Sequence, residues 1–122
     1  SPGTRYTNLI SLGRGGIHME LLLTPRTDSI GIHVWIKCGG WYREAFDQLH
    51  EQKSEIELEI GETLSWESDE DRKSCKIVLQ APINPQVDEN REQVVEWFAK
   101  MAIPFFLAFS DRVKQLTKPP HL

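Results

Sequence analysis

Two runs decide the fold: Ile17-His18-Met19-Glu20-Leu21-Leu22-Leu23 and Ile30-Gly31-Ile32-His33-Val34-Trp35-Ile36-Lys37-Cys38. In the first, Ile17, Met19, Leu21 and Leu23 alternate with His18, Glu20 and Leu22; in the second, Ile30, Ile32, Val34, Ile36 and Cys38 alternate with Gly31, His33, Trp35 and Lys37. A period of two belongs to an extended strand that sends successive side chains to opposite faces. The segment Thr24 to Ser29, with Pro25 and Asp28, makes the turn between them. The register it sets places Ile17 opposite Ile36, Met19 opposite Val34 and Leu21 opposite Ile32 on an apolar face. On the other face His18 meets Trp35 and Glu20 meets His33. A slip of one residue would press the glutamate and both histidines into the core, which is costly for an unpaired charge.

Outward from this hairpin, Tyr6 to Leu12 is a further strand that ends at Gly13-Arg14-Gly15-Gly16. Glycines permit positive φ, so these residues form a tight turn or bulge. A backbone cradle for an anion is the less favoured reading, because the turn leads into a strand and lacks the P-loop lysine. After Gly39-Gly40 the periodicity becomes helical: Tyr42, Phe46, Leu49, Lys53, Ile56 and Ile60 lie on one stripe. A break is expected near Lys53-Ser54, with Ser54 as N-cap and Glu57 three residues on, and Gly61 stops the helix. Leu64 to Glu67 and Cys75 to Gln80 read as a strand pair joined by the polar loop Ser68 to Lys73. The last element is a helix from Asp88 to Leu116, with Val94, Phe98, Met101, Phe105, Phe109, Val113 and Leu116 on one stripe. Pro104 inside it is expected to bend or split it. The predicted class is α+β: a two-layer sandwich, its antiparallel sheet of about five strands in the chain order β-β-β-α-β-β-α, with two amphipathic helices packed on one face.

Composition sets the class of object. The chain has 122 residues, a net charge of −4, 39% hydrophobic and 26% charged residues, the balance of one soluble domain. No run is long enough to cross a bilayer, so no membrane partner is expected. Cys38 and Cys75 match neither a disulfide framework nor a zinc pattern; they are expected as buried thiols in a reducing cytoplasm. Arg5, Arg14 and Arg26 lie early and the acids concentrate between Glu51 and Glu92, so the N-terminal third is the likelier surface for an anionic partner. Ser1-Pro2-Gly3 reads as a boundary, and residues 1–122 are expected to form a single domain, the C-terminal fragment of a longer protein.

The polar face of the hairpin supplies the candidate binding patch: His18, Glu20, His33 and Trp35, with Arg14 at its edge. Two imidazoles and a carboxylate suit a divalent metal or acid–base chemistry. No HExxH motif and no placed nucleophile accompanies them, so no catalytic residue, cofactor or metal ligand is assigned. A half-exposed polar face with a cross-strand Glu–His pair is the first reading, a partner-binding patch the second and catalysis the third. On an exposed face, replacing His33 with Ala should cost at most about 1 kcal/mol. The acids Glu55, Glu57, Glu59 and Glu62 read as a solvated helix face, the Ser68-Asp69-Glu70-Asp71 run lacks the EF-hand order, and Trp41, Trp66 and Trp97 are expected to pack in or on the core. A metal-dependent nuclease site of the PD-(D/E)xK kind needs an acid in the triplet Trp35-Ile36-Lys37, and none is there.

The turn and strand from Gly13 to Leu23, the strand Gly31 to Ile36, the segment Phe46 to Glu67, the strand Lys73 to Leu79 and the helix Val94 to Leu116 resemble, in that order, the prokaryotic domain of unknown function DUF4268. The likeness covers nearly the whole chain, and its most specific pieces are Gly13 to His18 and Phe46 to Trp66. Members of that family are often C-terminal parts of longer proteins, some with a restriction-nuclease-like domain upstream. The resemblance implies a cytoplasmic accessory module in a DNA-associated or phage-defence setting, and it carries over no catalytic residues. Three functions follow as expectations. The first is a non-enzymatic accessory or interaction domain that binds a protein partner or the remainder of its parent chain. The second is a nucleic-acid-recognition module supporting a nuclease elsewhere in that chain. The third is a small metal- or acid/base-dependent enzyme centred on His18, Glu20 and His33.

Overall fold

The computed structural model describes residues 6–23, 28–37, 39–68 and 74–120, with side chains from residue 9 onward. Strands β1 (Tyr6–Arg14), β2 (Ile17–Leu23) and β3 (Ile30–Lys37) precede helices α1 (Tyr42–Glu51) and α2 (Lys53–Ile60); β4 (Ser65–Glu67), β5 (Ser74–Ala81) and α3 (Arg91–Lys114) follow. A single 3-10 turn, Asp88–Asn90, leads into α3. The five strands form one antiparallel sheet in the order β1-β2-β3-β5-β4. The β2–β3 register is the one expected: Ile17 pairs with Ile36, His18 with Trp35, Met19 with Val34, Glu20 with His33 and Leu21 with Ile32.

The apolar face of this sheet and the helical stripes make the core. Ile32, Val34, Ile36 and Ile77 are fully buried with Leu49, Ile56, Phe105, Phe109 and Val113. Trp41 is buried, and Trp66 and Trp97 pack partly buried against the core, as expected. Cys75 is a buried free thiol; Cys38 lies outside the described residues, as do Arg5, Arg26, the residues at the Pro25 turn and most of the Ser68 to Lys73 loop.

Three expectations need correction. The helical layer has three helices, because the first helical segment breaks at Gln52, ahead of Ser54, which caps nothing. Gln52 leaves the helical region at φ −100° and ψ 15°, and its side-chain oxygen accepts from Arg112 Nε at 2.9 Å. Second, Pro104 does not split α3, which runs as one continuous helix through it. The missing proline N–H leaves the carbonyl of exposed Lys100 without its helical donor, while buried Met101, Phe105 and Phe109 hold both halves on the core. Third, the α2 acids are not simply solvated. Glu57 accepts from the Leu64 backbone N–H and from Trp66 Nε1, and Glu59 pairs with Arg112. These bonds tie α2 to β4 and to α3, and they hold both carboxyls below their ordinary range against whatever burial opposes.

The glycine turn is structural. Register shifts between Ser11 and Arg14, and both Gly13 and Gly16 take positive φ, at 99° and 81°. Tyr42 lies over the turn, its hydroxyl donating to the Gly15 carbonyl at 3.2 Å, and a Cβ on Gly16 would stand 2.6 Å from its ring. Gly15 has open space around it. Gly16→Ala is therefore expected to cost about 1–3 kcal/mol in urea unfolding, with Gly15→Ala within about 1 kcal/mol of the parent.

Candidate functional site

The helices cover one face of the sheet, and the described residues place none on the other. The registers order that open face into rows across the strands. One row is Ser11, His18, Trp35, Lys76 and Glu67; the next is Leu9, Glu20, His33, Val78 and Ser65. Four of the five expected patch residues are thereby neighbours.

His18 Nε2 and His33 Nε2 both lie 3.2 Å from the same oxygen, Glu20 Oε1. An ionised carboxylate only accepts, so each imidazole donates from Nε2. The His18 ring lies against Trp35, centroids 4.9 Å apart and planes 24° apart. His18 and Trp35 are half-buried, as an uncovered face implies. Glu20 and His33 are not: they are only 9% and 5% exposed. The broad side chains beside them fill the space above the sheet, since cross-strand neighbours stand roughly 5 Å apart. The expectation of a small cost for removing His33 falls with this burial.

Burial alone would raise the Glu20 carboxyl, but the hydrogen bonds from His33 and His18 outweigh it and hold the group below its ordinary 4.5. For His33 burial is the largest influence and depresses its pKa below the ordinary 6.5, only partly offset by the bond to Glu20 and reinforced by Lys76 and His18. The arrangement at neutral pH is thus a carboxylate held by two N–H donors. Both Nε2 atoms are committed to that carboxylate, and no group of three His, Cys, Asp or Glu among the described residues is arranged to hold a metal ion.

Arg14 belongs elsewhere. Its guanidinium reaches into the helical layer, where Nη2 donates to the Lys114 and Leu116 carbonyls at 3.1 and 2.6 Å and the group lies 5.0 Å from the centroid of the Trp41 ring. It satisfies orphan carbonyls at the α3 C-terminus and complements the helix dipole. The irregularity between Ser11 and Arg14 falls at the expected glycine turn or bulge, but the alternation alone did not reveal that it turns Arg14 away from the open face. Conversely, β1 brings Leu9 to the open face, 65% exposed, and β5 brings Lys76 and Val78 beside the histidine row. Cys75, Ile77 and Leu79 alternate with Lys76 and Val78, so period two alone sets the latter pair on the open face, but their neighbours depend on which strand β5 joins. Surface hollows among the described residues lie elsewhere, one lined by Ser54, Glu57, Leu58, Gly61, Glu62 and Thr63 and another by Ile83, Gln93, Glu96, Trp97 and Lys100.

An open antiparallel sheet backed by helices on one side, with a paired Glu–His cluster on the bare side, defines an α+β open-faced sandwich. The chain belongs to the family described as Domain of unknown function (DUF4268), whose model matches residues 1–113 of the 122. No curated protein and no solved structure matches it. No helix among the described residues is long and apolar enough to cross a membrane.

Two outcomes test this geometry. His33→Ala removes a buried donor from a buried carboxylate and is expected to cost about 1–3 kcal/mol in urea unfolding. Stability is also expected to fall on acidification in two stages. The unfolded chain protonates His33 near 6.5 while the folded protein resists to lower pH, so the unfolded state binds the extra proton and gains. Below 4.5 Glu20 repeats this in the same direction, and its stabilisation is lost as pH falls through its folded value. Urea unfolding of the parent and of His33→Ala from about pH 8 to about pH 3 checks this; the variant should lose the upper stage.

Proposed function

We propose that this chain is a non-enzymatic accessory or interaction domain of a larger prokaryotic protein, acting through the open face of its sheet. The observation that carries the reading is the division of labour on that face. Its ionisable centre is buried and internally paired, while Leu9, at 65% exposure, and half-buried Leu22, His18 and Trp35 are what a partner would touch. A bare sheet face with a central aromatic anchor suits a protein partner or the remainder of the parent chain. The cytoplasmic, DNA-associated or phage-defence setting rests on the family resemblance. An enzyme centred on His18, Glu20 and His33 is disfavoured, since both imidazole Nε2 atoms are spent on the carboxylate and His33 is screened from substrate.

Nucleic acid is the second reading, and one observation favours it. The His18–Trp35 stack is flanked on the same face by Lys76 and by exposed Lys37, an aromatic platform with cations beside it. The net charge of −4 weighs against it.

Calorimetry with the remainder of the parent chain supplied as a separate polypeptide tests the first reading. Trp35→Ala is expected to weaken binding about thirtyfold or more, and unchanged affinity in both Trp35→Ala and Leu9→Ser would reject the open face. Tryptophan quenching by a single-stranded oligonucleotide at two salt concentrations tests the second, which requires affinity that falls steeply with salt.

A further inference from the structure

The outer side of α3 carries apolar residues that nothing in the fold uses. Val95, Ile103 and Leu107 are 62%, 65% and 63% exposed, and Ala99 between them is exposed as well. They follow one another at intervals of four, so they form one continuous oblique ridge spanning roughly 18 Å of helix. Half-buried Ala102 and Phe106 border the ridge on one flank, and exposed Glu96 and Lys100 border it on the other. Single exposed apolar residues need no explanation, but a contiguous ridge on a charged domain marks a contact surface.

We propose that this ridge packs against the same ridge of a second copy of the chain, the two α3 helices running antiparallel about a twofold axis at Ala99. The sequence of the ridge is what selects a second copy. About Ala99 three of its four members are self-complementary: the axis sets Val95 against Ile103 of the other copy and Ala99 against its own counterpart, while Leu107 falls opposite exposed Arg91, whose aliphatic stem can lie along it. Ala99 at the crossing point allows close backbone approach. Ridges of four-residue spacing interdigitate at a crossing angle of about −50°, the commonest helix–helix class in globular proteins.

The flanking charges agree. Glu96 and Lys100 make no ion pair with another described residue. On a helix they project from the same flank, about 40° apart. The twofold axis brings Glu96 of each copy to within about 3 Å, along the helix axis, of the level of Lys100 of the other. Two symmetric pairs of opposite charge therefore close one edge of the contact. An anionic partner such as a nucleic acid would instead meet Glu92 and Glu96 beside the apolar ridge, with Arg91 and Lys100 doing no more than offset them. The contact lies on the outside of the helical layer and leaves the open sheet face free, so it does not depend on the function proposed above.

Sedimentation equilibrium of the 122-residue protein over a concentration series, at low salt, tests the proposal. The mass should rise from 14.1 kDa toward twice that value. Ile103→Lys should raise the dimer dissociation constant at least about tenfold, with the melting temperature of the monomer unchanged because Ile103 is already exposed. Glu96→Lys and Lys100→Glu should each weaken association, and the double variant E96K/K100E should recover it by exchanging the signs of both pairs. A protein that stays monomeric to about 1 mM overturns the proposal. So does a dimer that Ile103→Lys leaves intact, or one lost on Trp35→Ala instead. Failure of E96K/K100E to improve on the single variants removes the antiparallel arrangement and with it the proposal.

Discussion

The pairing of β2 with β3 constrains everything built around it. Met19 and Val34 face each other under the helices, and Glu20 and His33 face each other on the opposite, uncovered side of the sheet. A strand has no intermediate between these two states: one residue of slip exchanges the faces entirely. With the observed register the sheet presents a continuous apolar surface on which Phe105, Phe109, Leu49 and Ile56 bury themselves. With the other register the helices would meet a carboxylate and two imidazoles, and α1, α2 and α3 would have no core to join.

The helical layer is then fastened by polar contacts at its ends. Arg14 closes the C-terminus of α3 from the β1–β2 turn, while Gln48 exchanges two hydrogen bonds with the Thr117 backbone just beyond that helix. Arg112 reaches Gln52 at the break between α1 and α2 and Glu59 within α2. The Arg14 and Gln48 contacts engage backbone groups at the end of α3, where the usual helical partners are missing, while the Arg112 contacts join side chains of α3 to the break and to α2. The exposed ion pairs add little to stability by themselves. Their use is to set where three helices sit on one sheet face, which the apolar stripes alone leave loosely determined.

The open face carries a different balance. Its centre is a hydrogen-bonded Glu–His cluster that satisfies its own buried groups, and its edges are apolar or half-buried. Among the described residues no buried side-chain nitrogen or oxygen lacks a partner. A cluster whose donors and acceptors are matched to each other rigidifies the sheet and offers little to a substrate. That is why the surface properties of the face, rather than its ionisable residues, point to binding.

Much of this was written in local pattern. The alternation in residues 17–23 and 30–37 determined which side chains share a face, and the stripes from Tyr42 to Ile60 and from Val94 to Leu116 determined which sides of the helices are buried. Period, turn chemistry and the desolvation of charge are properties of neighbours in the chain, so they are legible there. The tertiary structure decided the rest. That β5 enters the sheet beside β3, bringing Val78 next to His33, is a pairing between residues far apart in sequence. That Arg14 turns to the end of α3 depends on a β1 irregularity and on where α3 ends. That Glu20 and His33 are buried on a face without helices depends on how densely five strands' side chains crowd one another. Each is set by contacts the chain makes only after folding, and burial and electrostatics are sums over those contacts.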